Sequence, residues 1–207
     1  MWVIGGAINN GGIVLRWFRD QFKDIFSADS ELERLGYYKV MDKYAAGMPP
    51  GSENLIFLPY LTGERSPDWN ANVRGLMYGL GYAHGFKHML RAAMEGVIYR
   101  MYSVYRVMED LGIDPMGIKA NGGHTKSAIW TQIQADVFNK PIQISGVGEA
   151  SALGAAYVTM LSLGAVRDIK QLLPGMKPQS VVNPVKENHA VYLGIFKQAQ
   201  EIYESIY

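Results

Sequence analysis

The sequence predicts an α/β domain in which helices pack on a sheet. From Gly117 onward, short apolar runs alternate with segments of helical length, and the connections between them are short. Strands are predicted at residues 118–121 and 141–144, each followed by a helix, at 127–138 and 150–163. No internal repeat, low-complexity stretch or linker interrupts the 207 residues. The pattern therefore indicates a single α/β unit.

The helix predicted most clearly lies just upstream, at residues 86–111. Apolar residues recur there at spacings of three and four, and Gly112 stands where a helix-terminating glycine is expected. Other helices are predicted after Gly12, at 37–46 and at 186–207. Strands are predicted at 55–58 and 75–80, with a polar loop at 62–73 between them. The helix after Gly12 has a predicted apolar stripe, formed by Ile13, Leu15, Trp17, Phe18, Phe22 and Ile25.

Composition argues against several classes of protein. The net charge is only +1, which offers no field of one sign for nucleic acid or an anionic membrane. No apolar run approaches the roughly 20 residues that span a bilayer, and the first residues do not read as a signal peptide. Cysteine is absent, which excludes a disulfide scaffold, a thiolate nucleophile and a cysteine-based zinc site. We expect a cytoplasmic protein without a membrane or nucleic-acid partner.

A glycine pair between a strand and a helix is the strongest local motif. Asn121, Gly122 and Gly123 end the predicted strand, and Ser127 precedes the helix. Helix N-termini carry free N–H groups and partial positive charge, and glycine allows close approach to a flat ring. On these residues alone, both a ligand site and a plain turn capped by Ser127 remain open.

Two further small-residue segments are ambiguous in the same way. Gly5 and Gly6, with Gly11 and Gly12, bracket a short loop before a helix, but no Walker A sequence follows. Residues 149–156 are rich in alanine, which favours close packing of that helix on a neighbour.

The titratable residues offer no independent catalytic centre. His84 and His88 are four apart, but no third metal ligand is evident. Arg65 could bind an anion or pair with Glu64 or Asp68. The remaining histidines have no serine in a nucleophile-elbow context, so a catalytic triad is not predicted.

Taken together and in order, these segments resemble the C-terminal half of the FGGY carbohydrate kinases. One signature of the family fits without a gap. It consists of residues 75–80, a spacer of seven residues and residues 88–95. Residues 58–67, with Gly-Glu-Arg at their centre, are similar to the family's Leu-Pro-x-x-x-Gly-Glu-Arg-x-Pro loop. Residues 122–141 resemble the adenosine-binding segment, and 149–156 complete the set. Residues 2–20 look most like the gluconate kinases.

The resemblance implies an actin-like, RNase-H-like ATPase domain, the second domain of a two-domain sugar kinase. ATP, with Mg²⁺, is then expected mostly on this domain. Gly12 and Arg16 match positions along and near the phosphates, Gly123 and Ser127 match positions that hold adenosine, and Gly122 supplies the turn. Arg16 and Ser127 depart from the glutamine and asparagine of glycerol kinases, although a hydroxyl can still form hydrogen bonds.

The resemblance also implies what residues 1–207 lack. The family's catalytic aspartate, its sugar pocket and its opening phosphate hairpin are expected upstream of Met1, so the domain is expected to be incomplete at its N-terminal edge. No catalytic residue is assigned, since Asp20, Asp68 and Asp136 do not match the catalytic position. The expected partners are ATP or ADP and, through the first domain, a sugar or sugar acid.

The sequence leaves three points open: the identity of the sugar, whether the chain is part of a catalyst, and whether it forms a homodimer. The sugar could be xylulose or ribulose instead of gluconate, or the chain could be a non-catalytic nucleotide-binding or assembly module. Tyrosines and methionines on the helix at 86–111, if exposed, would fit either a homodimer or docking onto another domain. An uncovered sheet edge or apolar face would make the isolated chain self-associate or leave it marginally stable.

Overall fold

The structure is a computed structural model that describes residues 4–113, 115, 117–147, 149–168, 171–172 and 178–207. Its helices are α1 (Gly12–Gln21), α2 (Lys23–Ser27), α3 (Leu32–Leu35), α4 (Tyr37–Ala46), α5 (Phe86–Asp110), α6 (Ala128–Phe138), α7 (Ala150–Ser162) and α8 (Lys186–Ile206). Its strands are β1 (Ile56–Leu58), β2 (Leu76–Tyr78), β3 (Ile118–Ala120), β4 (Ile142–Ser145) and β5 (Pro178–Val182). Residues 2 and 3, at the start of the stretch that looks like gluconate kinases, lie outside the described part.

The strands form two separate sheets. β1 and β2 pair antiparallel, with Phe57 opposite Met77. β3 and β4 pair parallel, with Lys119 opposite Gln143, and α6 makes the crossover between them. β5 adds to the other side of β4 in antiparallel orientation. The predicted α/β layer is confirmed, and β5 extends it with a strand that the sequence did not predict.

Helix α5 is the centre of the hydrophobic core. It contacts β1, α1, α4 and α6, and it approaches β1 so closely that a Cβ on Gly96 would lie 2.1 Å from the carbonyl oxygen of Phe57. Tyr99, Tyr102 and Tyr105 are buried in this core. These three tyrosines are therefore not exposed for docking, and a homodimer stays a prediction.

Two other expectations differ from the structure. The first predicted helix breaks at Phe22 into α1 and α2, and Ile13 and Trp17, expected on its apolar stripe, are 40% and 38% exposed. The buried residues of α1 are Val14, Leu15 and Phe18, so the predicted stripe is confirmed at Leu15 and Phe18. Helix α7 has no buried residue, and nothing lies within 4 Å of a Cβ built on Gly154. The close neighbour expected for this alanine-rich helix is not found among the described residues.

None of the described helices is long and apolar enough to cross a bilayer.

Candidate functional site

A cavity of about 590 Å³ lies where α1, α4 and α5 meet the glycine turn that precedes α6. It brings together residues that are more than 100 positions apart in the sequence. All five residues expected to hold the nucleotide line it, namely Gly12, Arg16, Gly122, Gly123 and Ser127.

The glycine turn forms one wall of the cavity and owes its shape to local chemistry. Gly122 has φ +98°, a conformation that residues with a Cβ rarely adopt. A short 3₁₀ helix (Gly123–Lys126) follows, and the Oγ1 of Thr125 donates to the carbonyl oxygen of Gly122 at 2.7 Å. The Oγ of Ser127 then accepts from the N–H of Trp130 at 3.1 Å and caps α6. The turn thus has the predicted cap, and it also faces the cavity.

The N-terminus of α1 forms another wall of the cavity. Gly11 is the N-cap, and no side chain caps the helix. The first turn of a helix has N–H groups without intrahelical partners, and its partial positive charge favours anions. Arg16 lies one turn after Gly12, on the same side of the helix, and also lines the cavity.

Helix α4 closes the third side with residues that sequence reasoning did not select. The Oδ1 of Asp42 accepts a hydrogen bond from the Oγ of Ser127 at 2.6 Å. The Nζ of Lys39 donates to the carbonyl oxygen of Lys126 at 2.7 Å. Tyr38 stands beside them on the cavity surface. These two hydrogen bonds fix α4 against the turn across more than 80 residues of sequence, so no local pattern could reveal them.

Apolar side chains line the base of the cavity. Val97 and Ile98 of α5 are buried there, as is Leu15 of α1. Trp130 is anchored by its indole N–H, which donates to the carbonyl oxygen of Met94 at 2.9 Å. A mostly apolar pocket with a few fixed polar groups is the usual form of a small-molecule site.

The charges around the cavity are mainly positive. Among its lining residues, Arg16, Lys39 and Lys126 are cationic and Asp42 is anionic. Burial lowers the pKa of His124, which a contact with Gln134 partly opposes, so this imidazole adds no charge at neutral pH. Burial raises the pKa of Asp42, while the hydrogen bond from Ser127 and the charge of Lys39 act in the opposite direction. This excess of positive charge suits a polyanionic ligand.

The loop that leads into α1 is held by the neighbouring Gly-Glu-Arg segment. The buried Glu64 accepts from the N–H of Asn9 at 2.6 Å, and the Nδ2 of Asn10 donates to the carbonyl oxygen of Gly63 at 2.6 Å. Arg65 bonds to the side chain of Asn9 and has no ion pair with Glu64 or Asp68. Those two acids instead face Arg100, at 3.6 and 2.8 Å. The segment therefore positions the start of α1.

The histidine pair at the start of α5 has a structural role. The Nδ1 of His88 accepts from the N–H of Gly85 at 3.0 Å, and the Nδ1 of His84 accepts from the N–H of Gly81 at 2.8 Å. Within the described part of the chain, no group of three or more His, Asp or Glu side chains is placed to hold a metal ion.

The architecture and the comparisons with known proteins agree on the class. The chain is an α/β domain of the actin-like ATPase class. It belongs to the FGGY family of carbohydrate kinases, whose C-terminal domain matches residues 1–163.

The individual relatives include gluconate kinases and xylulose kinases. Gluconokinase of Bacillus subtilis (strain 168) is 44% identical over 171 residues, which are 80% of this chain and 32% of that protein. The crystal structure of gluconate kinase from Lactobacillus acidophilus superposes with a TM-score of 0.82 at 33% identity, over 97% of this chain and 39% of that one. A ligand-bound xylulose kinase from the same organism gives 0.83 and 33%, with the same coverage. The chain thus spans about a third of the length of the relatives it matches.

Proposed function

We propose that this chain is the ATP-binding part of an ATP-dependent gluconate kinase, which transfers the γ-phosphate of ATP to the primary hydroxyl of gluconate. The observation that carries the proposal is the meeting of Gly12, Arg16, Gly122, Gly123 and Ser127 on one cavity with a cationic surface. Gluconate is favoured over xylulose because the gluconokinase relative is 44% identical, whereas a xylulose kinase of Staphylococcus epidermidis is 33% identical over 203 residues. The solved gluconate kinase and xylulose kinase structures are both 33% identical and do not separate the two sugars.

In this proposal the nucleotide lies along the cavity between its two glycine-rich walls. The phosphates lie toward the α1 N-terminus, where Gly12 leaves room for close backbone approach and Arg16 supplies positive charge. The adenosine lies toward Gly123 and Ser127, over the apolar base. Gly122 and Gly123 have no side chain, and the space beside each is open, which leaves room for a ring at that wall.

Magnesium fits this scheme as part of the ATP complex. Mg²⁺ usually keeps several waters and binds substrate phosphates with one or two carboxylates. Asp42, the carboxylate on the cavity, is bonded to Ser127 at the proposed adenosine end, away from α1. The residues described here therefore do not form a protein cage for the ion. Mg²⁺ would neutralise phosphate charge during transfer.

We propose that the binding site of the acceptor alcohol, and the base that takes its proton, belong to a part of the kinase that these 207 residues do not include. Phosphoryl transfer needs ATP·Mg²⁺ aligned with the hydroxyl and a group that takes the proton. The gluconokinase relative is about two and a half times as long as this chain, and no carboxylate here matches the family's catalytic aspartate. We therefore expect no gluconate-dependent ADP formation by the 207-residue chain, and ATP binding that is weak but measurable.

Glycine-to-alanine substitutions test the site without disturbing the fold. A Cβ on Gly12 or Gly123 meets nothing within 4 Å, and neither residue has a positive φ. Gly12→Ala and Gly123→Ala should therefore keep the stability of the chain but place a methyl group where the nucleotide approaches. In an NMR titration with ATP to millimolar concentrations, each should weaken binding by about tenfold or more, or about 1.4 kcal/mol. Gly154→Ala on the exposed α7 is the matched control and should leave binding unchanged.

Two results would contradict the proposal. One is no ATP binding by the wild-type chain at any concentration tested. The other is equal binding by the wild type and both cavity variants. The sugar is tested with the protein expressed from its complete coding sequence, comparing gluconate, xylulose and ribulose as acceptors. A higher kcat/KM with xylulose or ribulose would exclude gluconate as the principal substrate.

A further inference from the structure

The adenosine end of the cavity contains a carboxylate that the resemblance did not select. We infer that Asp42 accepts a hydrogen bond from the nucleoside, and that Ser127 acts as a positioning residue for Asp42 instead of bonding to the nucleoside itself. The inference rests on the proposed function, because it assumes that the cavity holds adenosine. The donor on the ligand is either the exocyclic amine of the base or a ribose hydroxyl.

The hydroxyl of Ser127 already uses its proton in a hydrogen bond within the protein. A serine hydroxyl has one proton to donate and two lone pairs to accept with. Its proton is directed to the Oδ1 of Asp42 at 2.6 Å, and one lone pair accepts from the N–H of Trp130 at 3.1 Å. The residue is 8% exposed. A ring nitrogen of the base needs a donor, and Ser127 has no second proton to offer.

The carboxylate of Asp42, in contrast, still has free positions that can accept hydrogen bonds. Its Oδ1 is held by Ser127, whereas its Oδ2 has only a 3.5 Å contact with the Nζ of Lys39. That ammonium is already held at 2.7 Å by the carbonyl oxygen of Lys126. The Asp42 side chain is 18% exposed and lines the cavity. A carboxylate has about four acceptor positions, so Asp42 keeps free acceptors at the cavity wall.

Adenosine has donors that can bind a carboxylate and ring nitrogens that cannot. An ionised carboxylate only accepts, so it cannot bind the ring nitrogens of adenine, which also only accept. It can accept from the N6 amine or from a ribose 2′- or 3′-hydroxyl. A partly desolvated, charged acceptor forms a stronger hydrogen bond than a neutral one, so this contact would contribute to selection of the nucleoside.

The test couples one substitution with three analogues. Binding of ATP, ITP, 2′-deoxy-ATP and 3′-deoxy-ATP to the 207-residue chain is measured by NMR titration, for the wild type and Asp42→Ala. ITP replaces the N6 amine with an oxygen, and each deoxy analogue lacks one hydroxyl. We expect Asp42→Ala to weaken ATP binding about tenfold. We also expect one analogue to bind the wild type about tenfold more weakly than ATP and to lose nothing further with Asp42→Ala. That analogue identifies the donor.

Control variants separate a direct contact from charge and folding. Asp24→Ala removes the same charge from an exposed position outside the cavity lining and should leave all four affinities unchanged. Asp42→Asn preserves size and folding, and its amide can offer a donor to the cavity. If the base is the partner, Asp42→Asn should weaken ATP and strengthen ITP. Ser127→Ala combined with Asp42→Ala should bind ATP no more weakly than Asp42→Ala alone.

The outcomes distinguish this inference from the proposed function. If ATP binds and Gly123→Ala weakens it, but Asp42→Ala has no effect or weakens all four nucleotides by the same factor, the inference is wrong and the site stands. If the wild-type chain binds no ATP, the proposed function fails and the inference fails with it.

Discussion

The Nε of Arg91 lies 2.6 Å from the Oε1 of Glu95, one turn further along α5, and both side chains are buried. Oε1 also accepts from the N–H of Gly51 at 3.0 Å, and Arg91 donates to the carbonyl oxygen of Ala45 at 3.0 Å and to the hydroxyl of Tyr192. The pair thus connects α5 to α4, to α8 and to the turn before β1. Neither residue lines the cavity, so residues 88–95, which carry part of the family resemblance, stabilise the core around the site.

The pair makes stability depend on pH. Burial raises the pKa of Glu95 to about 7, although Arg91 and the N–H of Gly51 oppose the shift. Both donors bind Oε1, and Oε2 has no partner among the described residues. In the unfolded chain the pKa of this glutamate is near 4.5. The folded state therefore holds a proton that the unfolded state has lost between these two values, and stability falls as pH rises through that window.

Glu95→Gln removes this titration with little change of shape. We expect the free energy of unfolding of the wild type, relative to Glu95→Gln, to decrease between about pH 5 and pH 7. The slope approaches about 1.4 kcal/mol per pH unit and flattens above pH 7. Urea unfolding at a series of pH values measures the difference. A difference that grows with pH would show that the pull of Arg91 exceeds the effect of burial.

Gly96 allows the close packing of α5 on β1, and its replacement should be costly. A Cβ there would lie 2.1 Å from the carbonyl oxygen of Phe57, and backbone cannot move aside as a flexible side chain can. We expect Gly96→Ala to destabilise the chain by about 3 kcal/mol or more, toward the upper end for overpacking. On the exposed α7, Gly154→Ala meets nothing within 4 Å and should stabilise by up to about 1 kcal/mol. Thermal or urea unfolding of both variants tests the contrast, and shifts of the same sign would contradict it.

Local chemistry explains which parts of the fold the sequence could predict. Helix α4 spans the predicted residues, and α5 and α6 differ from the predictions by one residue at one end, because apolar spacing and flanking glycine or serine define them. Strand β5 was missed because its residues are mostly exposed and show no apolar alternation. The break at Phe22 was missed because apolar residues continue across it.

In the site, too, residues defined by their sequence neighbours were predicted and residues defined by distant contacts were not. Gly122 was recognised from its neighbours in sequence, and its φ of +98° is a local property of the turn. Asp42 was not recognised, because its role depends on Ser127, 85 residues away. Asp42 reads in sequence as an ordinary polar residue of an amphipathic helix. Tertiary contacts of this kind leave no trace in local periodicity.

Asp136 joins the C-terminal helix to α6, so its replacement should loosen that helix. The buried carboxylate accepts from the N–H of Val185 and the Nδ2 of Asn188, both at 2.8 Å, and from the Nε2 of Gln132 at 2.7 Å. Asp136→Asn would set an amide N–H₂ against one of these donors and remove the charge that strengthens the others. We expect a loss of about 1.5–3 kcal/mol, the usual contribution of hydrogen bonds to a charged group.

Hydrogen exchange localises that effect. Amides of α8 (Lys186–Ile206) should lose protection in Asp136→Asn, while those of α4 should not. Asp24→Asn, at an exposed position without these contacts, is the matched control and should change neither. Unchanged protection of α8 would mean that its apolar contacts, including the buried Tyr192 and Phe196, hold the helix without Asp136.

The exposed apolar surface of α7 predicts self-association of the isolated chain. Val158 is 57% exposed and Leu161 is 41% exposed, and Leu163, just after the helix, is 79% exposed. Burying apolar area between copies gains roughly 25 cal/mol per Å², and contiguous apolar patches commonly mark contact surfaces. We therefore expect the average mass of the 207-residue chain to rise with concentration in sedimentation or light-scattering measurements. Val158→Glu with Leu161→Glu should return it toward the monomer mass of 23.0 kDa.

A matched control distinguishes burial of apolar surface from simple charge repulsion. Thr159→Glu with Ser162→Glu adds the same charge to the same helix while leaving Val158 and Leu161 in place. If apolar burial drives association, this control should still associate, because its apolar side chains remain available. Equal loss of association in both double variants would point to repulsion between like charges instead. A wild-type chain that stays monomeric across the whole concentration range would show that the surface of α7 is too small or too divided to hold two copies together.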